Sequence, residues 1–389
     1  MEIGRFERFL AAASPDQLAT LFAAVELADA GTGGRRIENL AACFAAKEAC
    51  CKLFPEETAR GALEPQDFFT RRSAAGTPEA GLSDHARRVL DRHRVATIHL
   101  SFTKTETSAS AMALAERKAT IVPWFGRWLY HLIPYRRGVV LGNLRRVFGA
   151  TLPETEIVRL AQAYYAHYWR CMIEFFKLPL MSAAQKKRSI RVENAESPLR
   201  AHRQGRGIFL LTGHFGNWEV ATVAGIQQFP EFMGLFHFVR RPLKPEWLNR
   251  YVAKRFRRAG FGLIPKKGSL DQILDLLASG AIVVYVFDQH AGGKDGVMVD
   301  FCGHPANSFK SPALIAMASG VPVIPAASWR EPDGTHVLRF EEPLTLVEGD
   351  DPGAAIRQNT QLFNATIERL LLRHPEQWIW MHRRWKAAG

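Results

Sequence analysis

No apolar run in this chain approaches the ~20 residues that a membrane-spanning helix needs, and its first residues do not read as a signal peptide. Cysteine is scarce. The five present, Cys43, Cys50, Cys51, Cys171 and Cys302, are odd in number and lack metal-ligand spacing, which argues against a disulfide framework or a zinc module and for free thiols in a reducing compartment. Adjacent Cys50 and Cys51 on a helical pattern are expected to pack rather than react. Gly292-Gly293-Lys294-Asp295-Gly296 is glycine-rich but lacks the Gly-Lys-Ser/Thr ending of a phosphate-binding loop, so no nucleotide site is assigned there. Repeats and low-complexity stretches are missing as well. Trp378, Trp380 and Trp385 interleave with Arg383, Arg384 and Lys386, but no nucleic-acid-binding motif accompanies them. Those tryptophans are expected to pack or to sit at a membrane interface, and nucleic acid is not an expected partner.

What the chain has is length, core material and positive charge. Its 389 residues suffice for two domains, and 47% hydrophobic content supports globular folding. The formal charge of +13 is unevenly placed: residues 1–120 hold 16 basic and 16 acidic side chains, leaving 35 of the 51 basic and 22 of the 38 acidic ones beyond. An excess confined to the larger part suits an anionic lipid surface or an acidic protein partner.

The most informative stretch is Thr212-Gly213-His214-Phe215-Gly216-Asn217-Trp218-Glu219. Ile208-Phe209-Leu210-Leu211 reads as a short buried strand, and Gly213 and Gly216 let the backbone turn beside the histidine. Histidine titrates near neutrality, so His214 is a candidate general base, with Glu219 as the carboxylate that fixes its tautomer. Backbone N–H groups after Gly216 and a nearby arginine are candidates for holding an oxyanion or a phosphate. Ile282 to Phe287 is an unalternating apolar run, read as a strand buried on both faces. It ends in Asp288-Gln289, where carboxylates often line a crevice; the role of Asp288 stays open.

These blocks, together with several downstream segments, resemble the lysophospholipid acyltransferase superfamily, and within it the bacterial lipid A acyltransferases. Val239-Arg240-Arg241-Pro242 comes next, then Gly262-Leu263-Ile264-Pro265-Lys266-Lys267-Gly268, Asp288-Gln289, Gly296-Val297, Phe301-Cys302-Gly303, Pro305-Ala306 and the closing Glu376 to Lys386. The resemblance runs from about Ile121 to the C-terminus. It implies an α/β fold with a mixed sheet flanked by helices, glycerolipid acyltransferase-like. It also implies transfer of a fatty acyl group from an acyl-carrier-protein thioester to a hydroxyl of a membrane lipid, lipid A-like or another glycolipid, without a cofactor. His214 and Glu219 would be catalytic; Gly216, Asn217, Arg241, Asp288 and Gln289 would bind substrate. The enzyme would sit peripherally on the cytoplasmic face of the bacterial inner membrane. The aromatic segment Ile121 to Tyr135, followed by Arg136-Arg137, is too short to span and is expected either to lie in the interface plane or to cover the active site.

Residues 1–118 are expected to form a separate, smaller α+β domain, with 119–389 as the acyltransferase domain. Ile37 to Lys52 has an amphipathic helix pattern; Ile98 to Thr103 and Ala109 to Glu116 read as strands. Phe44-Ala45-Ala46-Lys47-Glu48-Ala49 resembles the helix motif of holo-acyl-carrier-protein synthases, phosphopantetheinyl transferases that use magnesium and coenzyme A. That resemblance makes Glu48 a magnesium-ligand candidate and Lys47 a catalytic or phosphate-binding candidate. Three positions depart from it. The family's metal-binding aspartate would precede Glu2-Ile3-Gly4-Arg5, Lys104 stands in place of a histidine, and Cys43 in place of an arginine. One carboxylate holds a hard cation weakly, so docking of acyl carrier protein is expected of this domain in preference to catalysis. The alternatives are a working phosphopantetheinyl transferase recruited to membranes by the larger domain, and a catalytically silent lipid-binding adaptor.

Overall fold

The computed structural model describes residues 1–54, 63–73, 76–105 and 107–386. The chain divides into two units, Met1–Ala119 and Thr120–Gly389.

In the first unit, β1 (Phe68–Arg72), β2 (Pro78–Leu82), β3 (Val95–Lys104) and β4 (Ala109–Arg117) form an antiparallel sheet in that order. The helix Arg36–Cys51 carries the apolar stripe expected over Ile37 to Lys52. It buries Leu40, Ala41, Ala42, Ala46 and Cys50, giving the α+β character read from the sequence.

The second unit is a mixed α/β structure. Its sheet contains β5 (Ile190–Glu193), β6 (Ile208–Thr212), β7 (Phe236–Arg240), β8 (Gly262–Pro265), β9 (Ile282–Val286), β12 (Val323–Arg330) and β13 (His336–Phe340), in the order β5-β13-β12-β6-β9-β7-β8. Between these strands the chain forms a separate hairpin, β10 (Gly296–Phe301) and β11 (His304–Phe309). In the large sheet β12 and β13 pair antiparallel, and every other neighbouring pair is parallel.

The unalternating apolar composition of β6 and β9 has the cause inferred for it. Phe209, Leu211, Val283 and Tyr285 enter one core, beneath the helices Arg137–Phe148, Glu154–Lys177 and Pro352–Arg373. Ile208, Leu210, Ile282 and Val284 enter the other, with the segment 218–226 and the helix Glu246–Arg258. A strand covered on both sides has no water-facing row to make polar.

Candidate active site

Register places the candidate site. In the β6–β9 ladder Thr212 lies opposite Val286, so the residues two positions beyond, His214 and Asp288, emerge side by side at the carboxyl edge. In the β7–β8 ladder Arg240 lies opposite Pro265, which sets Arg241 beside Lys266 at the same edge. Four parallel strands thus present a base, an acid and two cations where open α/β sheets bind ligands.

His214 Nδ1 lies 2.8 Å from Asp288 Oδ1, while the backbone N–H of His214 donates to Asp288 Oδ2 at 2.6 Å. Trp378 Nε1 donates to that same Oδ2 at 2.8 Å. The Asp288 carboxylate is fully buried, whereas His214 keeps a quarter of its side-chain surface. Burial works to raise the Asp288 carboxyl, but the His214 charge and these hydrogen bonds outweigh it and hold the group at about 2. For His214 burial alone would depress the imidazole; the Asp288 charge and hydrogen bond prevail and raise it. With Nδ1 committed to Asp288, Nε2 is left as the nitrogen for proton transfer. His382 accepts from the His290 backbone N–H at 3.1 Å, and burial keeps it down to about 4 and uncharged beside the pair.

Glu219 does not orient His214, contrary to the sequence reading. Its carboxylate is buried at 2% exposure, and Arg255 Nη2 lies 2.9 Å from Oε1, an ionic contact without hydrogen-bond alignment. A histidine and a carboxylate five residues apart need not share a face, and here the chain turns between them and the 217–225 segment winds through a helical turn into a π-turn.

Gly216 and Asn217 are both tied into the scaffold. Gly216 has φ +53°, and an added Cβ would stand 2.5 Å from the Ser328 carbonyl oxygen. Its N–H donates to the Gln377 carbonyl at 2.9 Å. Asn217 caps the following turn through Oδ1, which accepts from Val220 N, and its Nδ2 donates to Glu174 Oε2 at 2.7 Å. Glu174 is in turn paired with Arg330, which lies 3.2 Å from His167, and His167 Nε2 lies 3.2 Å from the Gly216 carbonyl oxygen. The turn that carries His214 therefore hangs on a buried polar network. Nearby Cys171 is pushed up to about 12 by burial, which argues against a thiolate nucleophile.

His214, Arg241 and Gln289 line a cavity of about 330 Å³ whose walls are mainly apolar. Leu210, Phe236, Phe238 and Val284 form its sheet side; Trp218 and Ile226 of the segment after the His214 turn form a second wall, and Val252 and Phe256 of the helix Glu246–Arg258 a third. Arg240 and Lys266 line it as well and were not singled out from the sequence. Lys266 stands 3.7 Å from the centre of the Phe309 ring, and burial, then the charge of Arg241, lowers its ammonium to about 8. The signal available for Lys266 was its position one residue past an apolar strand end, matching Arg241.

The closing segment is internal. Trp378 and Trp380 are fully buried, as is Arg384, which donates to Asn307 and Ser308 and lies over the Phe301 ring. These tryptophans pack; they do not sit at an interface with membrane or nucleic acid.

In the first unit, Lys47 is 1% exposed and ion-paired at 2.7 Å with buried Glu26, and it also donates to the Phe68 carbonyl. It is therefore closed off from a phosphate. Glu48 is exposed, and among the described residues no group of three or more His, Cys, Asp or Glu is placed to hold a metal ion.

Residues 110–387 match the family described as bacterial lipid A biosynthesis acyltransferase. The chain is 29% identical over 251 residues to phosphatidylinositol mannoside acyltransferase of Mycolicibacterium smegmatis, spanning 63% of this chain and 78% of that one. It is 27% identical over 186 residues to the lipid A biosynthesis lauroyltransferase of Escherichia coli K12, spanning 47% of this chain and 58% of the relative. Holo-acyl-carrier-protein synthase from Neisseria meningitidis aligns with 30% of this chain and 93% of its own at 24% identity, with a TM-score of 0.27, a level of likeness that decides nothing about the first unit.

Proposed function

This chain belongs to the bacterial lipid A biosynthesis acyltransferase family and is an acyltransferase, and from that premise we propose that it moves a fatty acyl group from an acyl-carrier-protein thioester to a hydroxyl of a membrane glycolipid. The observation that carries this reading is a histidine held by a buried carboxylate at the lining of an apolar cavity suited to an alkyl chain. His214 Nε2 takes the proton of the acceptor hydroxyl, and the oxygen attacks the thioester carbonyl. The tetrahedral intermediate collapses to the ester, and the leaving thiolate takes the proton from the imidazolium. Asp288, in place of Glu219, fixes the tautomer and stabilises the imidazolium. Arg241 and Lys266 flank the lining and suit the developing oxyanion or a substrate phosphate. Gln289 completes the polar edge.

General-base catalysis contributes on the order of 10²- to 10⁴-fold, so His214→Ala should lower turnover by that range with an unchanged melting temperature. Near-normal turnover in a folded variant would remove the mechanism.

The first unit is read as a docking module for the carrier protein in preference to a second catalytic centre, because Lys47 is sealed against Glu26 and withdrawn from phosphate chemistry. Tethered to the catalytic unit, it would raise the effective concentration of the donor. Deleting residues 1–115 should raise the apparent KM for the acyl carrier protein severalfold; an unchanged value would rule the role out. The enzyme is further placed peripherally on the cytoplasmic face of the inner membrane. Among the described residues no helix is long and apolar enough to cross a membrane.

A further inference from the structure

Glu219 is a buried motif residue that the acyl-transfer chemistry leaves unused, and its partner explains its position. In sequence it stands between Trp218 and Ala221, both lining the cavity; Arg255 stands between Val252 and Phe256, which also line it. The 2.9 Å ion pair therefore joins two walls from behind, where neither group touches the cavity. In front of it the Trp218 and Phe256 rings meet at 5.7 Å. Arg255 is fixed at a third point, since its Nη1 donates to the Phe175 carbonyl at 2.7 Å and its guanidinium lies 4.7 Å from the Phe175 ring centre. The helix Glu246–Arg258 is otherwise strongly basic and outwardly exposed, with Arg250, Lys254, Arg257 and Arg258 facing solvent. Its apolar hold on the unit rests mainly on Val252 and Phe256. A buried pair in such a place specifies geometry more than it adds stability.

We propose that Glu219 and Arg255 form a strut that sets the separation of the two cavity walls and thereby the length of acyl chain the enzyme accepts, an inference that rests on the reading of this cavity as the acyl site. Glu219 is then a positioning residue, and the motif spacing reflects the place where the turn after His214 meets the wall helix.

The test compares Glu219→Gln, Arg255→Met and Arg255→Lys with Asp288→Asn in the full chain, over a graded series of saturated acyl-carrier-protein donors. Competition of the corresponding free fatty acids against cis-parinaric acid reads the cavity without turnover. A well-fitted apolar pocket discriminates by about tenfold or more per methylene at its end. Glu219→Gln and Arg255→Met should flatten that preference in both assays and raise the KM for the preferred donor, with kcat falling less than in Asp288→Asn. Arg255→Lys should keep the wild-type preference.

The proposal is overturned if Glu219→Gln lowers kcat as far as Asp288→Asn while chain preference and KM stay unchanged, or if Arg255→Met behaves as wild type. Should the single variants fail to fold, the double variant Glu219→Leu with Arg255→Met replaces the pair by apolar groups, and a wild-type preference in that protein also refutes the strut. A wild type that transfers no chain to any acceptor sinks the acyl-transfer reading instead. Fatty-acid competition then still decides the strut, and a wild type without chain preference there overturns it.

Discussion

Asp288 receives three hydrogen bonds and gives none, and that asymmetry makes the pH dependence of the site calculable in sign. The base must be neutral to work, and Asp288 raises the imidazole above its ordinary value against the effect of burial. Activity should therefore climb as pH rises through that raised value. Asp288→Asn removes the charge, so the acidic limb of the kcat profile should move to lower pH. Its plateau should fall by on the order of 10²- to 10⁴-fold as the tautomer is lost. A limb that stays in place would mean that another group titrates. At this scale the sequence was half legible. His214 followed from the glycine-flanked strand end, and Asp288 from the end of a second buried run. The exchange of roles between Asp288 and Glu219 was not legible, because it depends on a parallel register 74 residues away in sequence and on Arg255, 36 positions beyond Glu219.

At the scale of elements, the turn between β6 and the segment after it is as demanding as the residues it carries. Gly216 combines a left-handed backbone with a contact that leaves no room for a methyl group. Gly216→Ala should cost on the order of 1–3 kcal/mol, read as a lowered melting temperature, and should reduce turnover by displacing His214. A melting point equal to wild type would show that the turn relaxes freely. Strand existence and burial were readable here from uninterrupted Val, Ile and Leu runs. Strand order was not, since the antiparallel pair β12–β13 inserts between β5 and β6 with nothing in local composition to announce it. The buried network of Glu174, Arg330 and His167 was equally hidden, because each member reads singly as a surface residue.

For the molecule as a whole, the helix Trp124–Leu132 packs one face on the protein and leaves an apolar face exposed. Gly126 packs so closely on the neighbouring helix that a Cβ there would stand 2.8 Å from the Gln162 carbonyl oxygen. Meanwhile Ile121, Trp124, Trp128 and Leu132 are 63–78% exposed. Of the two expectations for this segment, the exposed apolar face favours the interface plane over a plain core cover. Trp124→Ser combined with Trp128→Ser should weaken sedimentation with anionic vesicles by about tenfold or more, since each buried aromatic is worth on the order of 1.5–3 kcal/mol. Undiminished vesicle binding would place the membrane contact elsewhere. The excess of positive charge in this half was visible in the sequence; which apolar residues face outward was not, because a 3.6-residue stripe looks the same toward a core or a bilayer.

The polypeptide near 376–380 reaches back to the centre of the chemistry. Gln377 accepts from Gly216, Phe215 bridges to Trp378, and the Trp378 indole grips Asp288. A chain cut before Gln377 would keep its histidine and aspartate but lose the indole that clamps them, so proteolysis at this one strap is expected to silence the site while leaving both strands that carry it intact.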